Sequence, residues 1–487
     1  MSKSRYLIFR FLFGIASLAF LSMEISAQYL EASITVNPDS ASATVSGKFD
    51  SAGERRLSFL LSDIGAPDLG RRISGVELKA ANGRPVQFRA FGGAEYVAEG
   101  EFTNFSYEID LFPLSNARSA AHVSWVGKDD GILFPDDLLP IPALNDEKRA
   151  AISFGLPDGW RAIGDSSRRP DGSFEVENVE RSVFVVGKNI RTIAGAKGGF
   201  KVAVSGKWLF DDAEASNMAD EVFGEYSRIF RVAPAKDSLV VLVPVPQSDA
   251  PKGTWEAETR GSTVVITSSD MAFKTQSQQR LHEQLRHEMF HLWLPNGVGL
   301  TGRYDWFYEG FALYQSLRTG VAVNRLRFDD LLDTVSRAYA IDRAQTDRRS
   351  LIEASDERWI GGETQVYARG MVVAFLCDIL LFRSSKGKDS VEKLLATVYS
   401  KYSGGGAATD ANTAILSLFE ADPRIEPLAA SYISGAKPIE WTSIISRAGL
   451  EADPRSLKLR VKPKLSGREK ALLTKLGYNN WRKLIRK

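Results

Sequence analysis

Cysteine occurs once and histidine four times in the 487 residues, and each scarcity closes off chemistry. A lone Cys377 cannot form an internal disulfide, so any stability outside the cell must come from packing, with bound metal as the other available source. It lies in the apolar run Val372-Val373-Ala374-Phe375-Leu376-Cys377, where a thiol reads as core rather than as a nucleophile. No cysteine near the N-terminus could carry a lipoprotein anchor. Long apolar runs are also missing: Phe11 to Met23 offers about 13 residues, short of the roughly 20 that a membrane span needs. The net charge of +2 gives no overall surplus of the kind that marks a nucleic-acid partner. A hydrophobic content of 44%, a charged content of 25% and a mean hydropathy of −0.16 exclude disordered and collagen-like classes.

What is present begins with Lys3, Arg5 and Arg10 ahead of that apolar run, followed by Ile25-Ser26-Ala27. This is the three-part pattern of a cleavable export signal, so the mature chain is expected to begin near Gln28 and to be periplasmic or secreted, with no transmembrane segment left after signal removal. From Tyr29 to about Lys201, short alternating runs such as Phe105/Tyr107/Ile109/Leu111 and turn signals such as Asn82-Gly83 predict β structure. After Thr275 the period becomes helical, through Gln276–Leu294, Trp306–Arg318, Asp329–Ile341, Tyr367–Arg383 and Ser390–Ser400. Arg455 to Lys487 holds twelve Lys or Arg against the single acid Glu469. With Leu472, Leu473, Leu476, Trp481 and Leu484 among them, these residues suit an amphipathic helix docked on the body; the alternative is weak contact with an anionic surface.

The residues that carry chemistry are His287-Glu288-Met289-Phe290-His291, an H-E-x-x-H pattern on an expected helix. Residues four apart on a helix share a face, so two imidazoles project towards one ion and the glutamate between them can reach a bound water. Three of the four histidines fall between His282 and His291. His282 sits about 140° around the helix from His287 and is expected in solvent, and His122 has no partner pattern. A catalytic zinc takes three protein ligands. Glu309, alone among the aromatic and apolar residues Trp306 to Tyr314, is the expected third, because coordinating a cation offsets the cost of burying a carboxylate. The competing reading is an ion pair with Arg303 or Arg318.

Together these residues resemble the gluzincin metallopeptidases. Within that clan they are similar to the M61 glycyl aminopeptidase-like family, through His287 to Trp293, Trp306 to Tyr314, Tyr367-Ala368-Arg369-Gly370 and Ser431 to Ile439. The resemblance covers roughly Leu156 to Leu450 and, with the patterns above, gives the expected multidomain α+β layout: a signal peptide at 1–27, an N-terminal β-sandwich-like domain at 28–201, a thermolysin-like, mainly α-helical catalytic domain at 202–450, and a basic, helical tail at 451–487. It implies one zinc ion (Zn2+) on His287, His291 and Glu309, Glu288 as general base, Tyr367 as donor to the oxyanion, and a peptide or protein substrate. Glu258, in Trp255-Glu256-Ala257-Glu258, stands at the family's glutamate position without its glycines and would hold a substrate's free ammonium. The segment after Leu450 is too short for the PDZ domain such proteins often carry, and only seventeen residues separate His291 from Glu309, a shorter gap than in many members. An aminopeptidase is the preferred expectation. The alternatives are an endopeptidase of the same fold and a binding protein with a vestigial metal site.

Overall fold

The computed structural model describes residues 30–50, 53–141, 148–247, 249–404 and 409–480. The expected export signal and cleavage site lie outside the described residues, as do Trp481 and Leu484.

Side-chain alternation builds the N-terminal half. In the strand Leu30–Asn37, Leu30, Ala32, Ile34 and Val36 are buried while Glu31, Thr35 and Asn37 face water, the period-2 pattern of a sheet with one dry face. This strand pairs antiparallel with Ser42–Phe49 and parallel with Ala150–Gly155 inside a seven-stranded sheet. A single core joins that sheet to a three-stranded one through Leu57 and Phe102, and to a four-stranded one through Phe184 and Val186.

A five-stranded mixed sheet follows, in the order Arg191–Ala194, Phe200–Val204, Ser238–Pro244, Thr263–Ser268, Trp255–Arg260. The run Leu239-Val240-Val241-Leu242-Val243 is buried throughout because both faces of this sheet are covered. Val240, Leu242, Val264 and Ile266 face the helical core around Leu281, Leu285 and Met289. Leu239, Val241, Val243 and Val265 instead meet Trp125, Ile132, Phe134 and Val185 of the N-terminal domain. The two halves therefore share a core. The expected boundary after Lys201 cuts a strand: Phe200–Val204 pairs with both Arg191–Ala194 and Ser238–Pro244, so the mixed sheet begins before it.

The helices Lys274–His291, Gly310–Ala322, Phe328–Ala344, Glu363–Ser384 and Val391–Tyr402 form the C-terminal half, with shorter ones at Leu351–Asp356, Ala411–Glu420 and Thr442–Arg447. Glu363–Ser384 is apolar and long enough to cross a membrane, but it lies in the protein interior, and Cys377 is buried within it. The tail is not helical throughout. Leu450–Ala452 and Leu459–Val461 form a hairpin anchored by Leu459 N–H donating to Ser336 Oγ at 2.8 Å, and among the described residues of the tail the α-helix is Gly467–Lys475, docked through Leu472 and Leu473.

Candidate metal centre and active site

Helical periodicity turns His287 and His291 to one side of Lys274–His291, where their Nε2 atoms lie 3.3 Å apart. Glu309, at the junction of the helices Asp305–Tyr308 and Gly310–Ala322, brings its Oε2 to 3.2 Å from His287 Nε2 and 3.6 Å from His291 Nε2. Three donors at bonds near 2.0–2.1 Å around a tetrahedral ion would stand about 3.3 Å apart. The observed triangle matches that edge length, so the group can hold a metal. Glu309 Oε2 is buried and accepts no hydrogen bond among the described residues, a costly state for a carboxylate oxygen unless a cation sits beside it. His291 Nδ1 lies 3.0 Å from the carbonyl of Leu294, which orients the ring with Nε2 towards the centre. Burial opposes charging His291, yet the Glu309 carboxylate lifts it to about 9; burial likewise opposes Glu309, which the two histidines hold well below the usual carboxylate range. Charge of both signs is drawn to this point.

Glu288 and Tyr367, the expected base and oxyanion donor, line the same cavity as the three candidate ligands. Glu288 is buried, and Thr259 Oγ1 lies 2.8 Å from its Oε2 and 2.9 Å from its carbonyl oxygen. Tyr367, in the second turn of Glu363–Ser384 rather than at its start, accepts a hydrogen bond from Arg358 Nη2 at 2.5 Å. Burial first, and the nearby Glu309 charge second, keep its phenol protonated. Two glycines set this spacing. Gly310, next to Glu309, and Gly370, one turn beyond Tyr367, touch backbone to backbone, so that a Cβ on Gly310 would lie 2.6 Å from Gly370 Cα. These groups line a cavity of about 520 Å3 with Ile64, Tyr308, Trp359, Glu256 and Glu258.

Glu258 lies on the edge strand Trp255–Arg260 and faces this cavity, but neither of its oxygens is free. Oε1 accepts from Arg260 Nε at 2.9 Å, and Oε2 lies 2.8 Å from His122 Nδ1. Arg260 also reaches Asp136 at 2.6 Å and Asp63 at 2.8 Å, with its guanidinium over the Phe134 ring. Against burial, which would raise it, Arg260 and His122 hold the Glu258 carboxyl at about 2. The N-terminal domain thus supplies part of the wall of this cavity, through Ile64 and His122. His122, Thr259 and Arg358 were not singled out from the sequence: Thr259 follows Glu258 directly and could have been, whereas nothing local marks the other two.

The expectation for His282 is overturned. It is buried, with Arg286 Nη1 at 2.6 Å and Glu221 at 3.3 Å, because the helix Asp212–Phe230 packs on the side that a single apolar stripe leaves to solvent. Burial holds its imidazole below the ordinary value.

No protein-family model and no curated protein matches the sequence. Solved structures do match, and they show the fold: an N-terminal β-rich domain followed by a helical part, similar to that of M1 zinc metallopeptidases. An aminopeptidase N family protein from Idiomarina loihiensis aligns with a TM-score of 0.72 at 14% identity, over 90% of this chain and 82% of its own. The M1 zinc metallopeptidase from Deinococcus radiodurans gives 0.50 at 16%, over 83% and 91%. A mutant of that enzyme bound to a Tyr-Ser-Ala substrate gives 0.53 at 15%, over 85% and 96%.

Proposed function

We propose that the chain is a zinc peptidase that removes residues from the N-terminus of peptides after export. The observation that carries this is the convergence of His287 Nε2, His291 Nε2 and the otherwise unpartnered Glu309 Oε2. Imidazole and carboxylate donors in a three-protein-ligand set suit zinc, which when bound would acidify a water and polarise the scissile carbonyl. The chain's own groups do the rest. Glu288 takes the proton from the attacking water and returns it to the departing amine, and Thr259 holds the far oxygen of Glu288 so that the near one faces the water. Tyr367 donates its O–H to the carbonyl oxygen as negative charge builds there. The Glu256 and Glu258 carboxylates on the cavity wall favour a peptide's free ammonium.

The finer assignment, to the M61-like branch of the gluzincins, rests on the motif resemblance, and export rests on the N-terminal pattern. One observation favours the endopeptidase alternative: both Glu258 oxygens are already engaged, so an incoming ammonium must share them with Arg260 and His122. The test is metal analysis of the purified protein with a peptide-library digest read by mass spectrometry. Zinc near one per chain with N-terminal trimming is expected. Internal cleavage would replace the aminopeptidase assignment, and absence of metal would reject the centre. An intact N-terminus on protein from a cytosolic fraction would reject export.

A further inference from the structure

Arg358 stands between the third candidate ligand and the tyrosine hydroxyl and touches both. Its Nη1 lies 2.6 Å from Asp305 Oδ1 and 3.2 Å from Glu309 Oε1, and its Nη2 donates to the Tyr367 hydroxyl at 2.5 Å. The guanidinium also lies over the rings of Trp359 at 4.5 Å and Tyr367 at 5.2 Å. Its side chain is 10% exposed, and its two carboxylate partners are 11% and 9% exposed. The loop that carries it is fixed from both ends: Arg303 donates to the Asp356 carbonyl, Arg349 pairs with Glu357, and Gly361 takes a φ of 120° that favours glycine.

Donor and acceptor accounting gives these contacts a consequence. A guanidinium has five N–H donors and no acceptor, so the Tyr367 oxygen must accept from Arg358. The phenol has one proton, and it makes no other hydrogen bond among the described residues, so that proton is left for the cavity that Glu288 and Glu309 also line. On the other side, Arg358 holds Glu309 Oε1 while Oε2 faces the two histidines, which presents the carboxylate through one oxygen.

We propose that Arg358 is a positioning residue that, from one planar guanidinium, orients the Tyr367 hydroxyl towards the substrate carbonyl and fixes Glu309 as a one-oxygen ligand. This rests on the zinc peptidase reading above. A bland role as a counter-ion for buried Asp305 and Glu309 would need only a positive charge, which lysine supplies; orienting two partners at once needs the fork.

The test uses Arg358→Lys and Arg358→Gln in the full chain, alone and combined with Tyr367→Phe. Zinc affinity is read by chelator competition, and kcat and KM are read separately on a peptide substrate. We expect both Arg358 variants to lower zinc affinity about tenfold or more, the range seen when groups supporting a ligand are removed, whether or not Tyr367 is present. We also expect kcat to fall about 30-fold with KM nearly unchanged, and this loss to shrink to within about threefold in the Tyr367→Phe background, because two residues acting through one hydrogen bond are not additive. Arg358→Lys with wild-type zinc affinity and kcat overturns the inference and leaves the peptidase standing. An equal kcat loss with and without the Tyr367 hydroxyl overturns the orienting role. Wild-type protein that binds no zinc would overturn the function and this inference together. Circular dichroism of each variant, with kcat scaled to its folded, zinc-loaded fraction, separates these outcomes from misfolding.

Discussion

Gly370→Ala puts a methyl group where the helix Glu363–Ser384 crosses Gly310–Ala322, and its effect can be worked from the contact. The new Cβ would lie 2.9 Å from Gly310 Cα and 2.9 Å from the Trp306 carbonyl oxygen, about 0.5 Å inside ordinary non-bonded separation. Both neighbours are backbone, so no side chain can rotate away and the helices must part by about that amount. Overpacking of this kind costs about 1–3 kcal/mol, and the better helix propensity of alanine returns up to about 1 kcal/mol. A net loss of about 1 kcal/mol leaves the protein folded. The same parting separates Tyr367, one turn from Gly370, from Glu309, which adjoins Gly310. A 1 Å misplacement of reacting groups can cost about a hundredfold in rate, so half of that predicts about a tenfold fall in kcat with KM little changed. Urea denaturation and steady-state kinetics on one preparation measure both quantities. Gly310→Ala, whose Cβ would meet Gly370 Cα at 2.6 Å, should be worse on each. A folded Gly370→Ala protein with wild-type kcat would refute the claim that this crossing sets the distance from ligand to tyrosine.

Three further outcomes are expected. Glu288→Gln should keep metal while losing most activity, since the amide keeps the shape but cannot accept a proton, whereas His287→Ala should lose both; metal content and turnover check this. N-acetylation of a peptide and Glu258→Ala should each lower kcat/KM at least about tenfold, equivalent to about 1.4 kcal/mol, and equal rates on free and acetylated peptides would move the assignment to an endopeptidase. Glu258, held at about 2 against an ordinary 4.5, has a depressed folded-state value, so its stabilising effect is complete above about pH 4.5 and lost as pH falls towards 2, up to about 3 kcal/mol in all; urea melts across that window should be flatter for Glu258→Gln, and an unchanged pH slope would contradict the network.

What was legible in the sequence was local. The H-E-x-x-H spacing needs only one helix to bring His287 and His291 together, and the apolar residues around Glu309 betray its burial without knowledge of its partners. The alternating strands and buried runs likewise announce a β-rich half and a helical half, but the period cannot tell which sheet a strand joins, so the boundary fell inside Phe200–Val204. His282 was misplaced for the same reason: one wheel shows one apolar face and not the second helix packed against the other.

The alternatives weighed for Glu309, metal ligand or ion pair, prove not to exclude each other. A carboxylate has two oxygens, and here Oε2 faces the histidines while Oε1 faces an arginine. That arginine is Arg358 rather than Arg303, which donates to the Asp356 carbonyl, or Arg318, which lies beside Asp378 and Glu392. Glu258 follows the same logic with a different result. Its two oxygens are taken by Arg260, two residues away, and by His122, 136 residues away in another domain. No spacing rule reaches that far. On the peptidase reading proposed above, a free N-terminus must compete with Arg260 and His122 for Glu258, so the choice between a free N-terminus and an internal bond would turn on the interface between the two halves rather than on the metal motif.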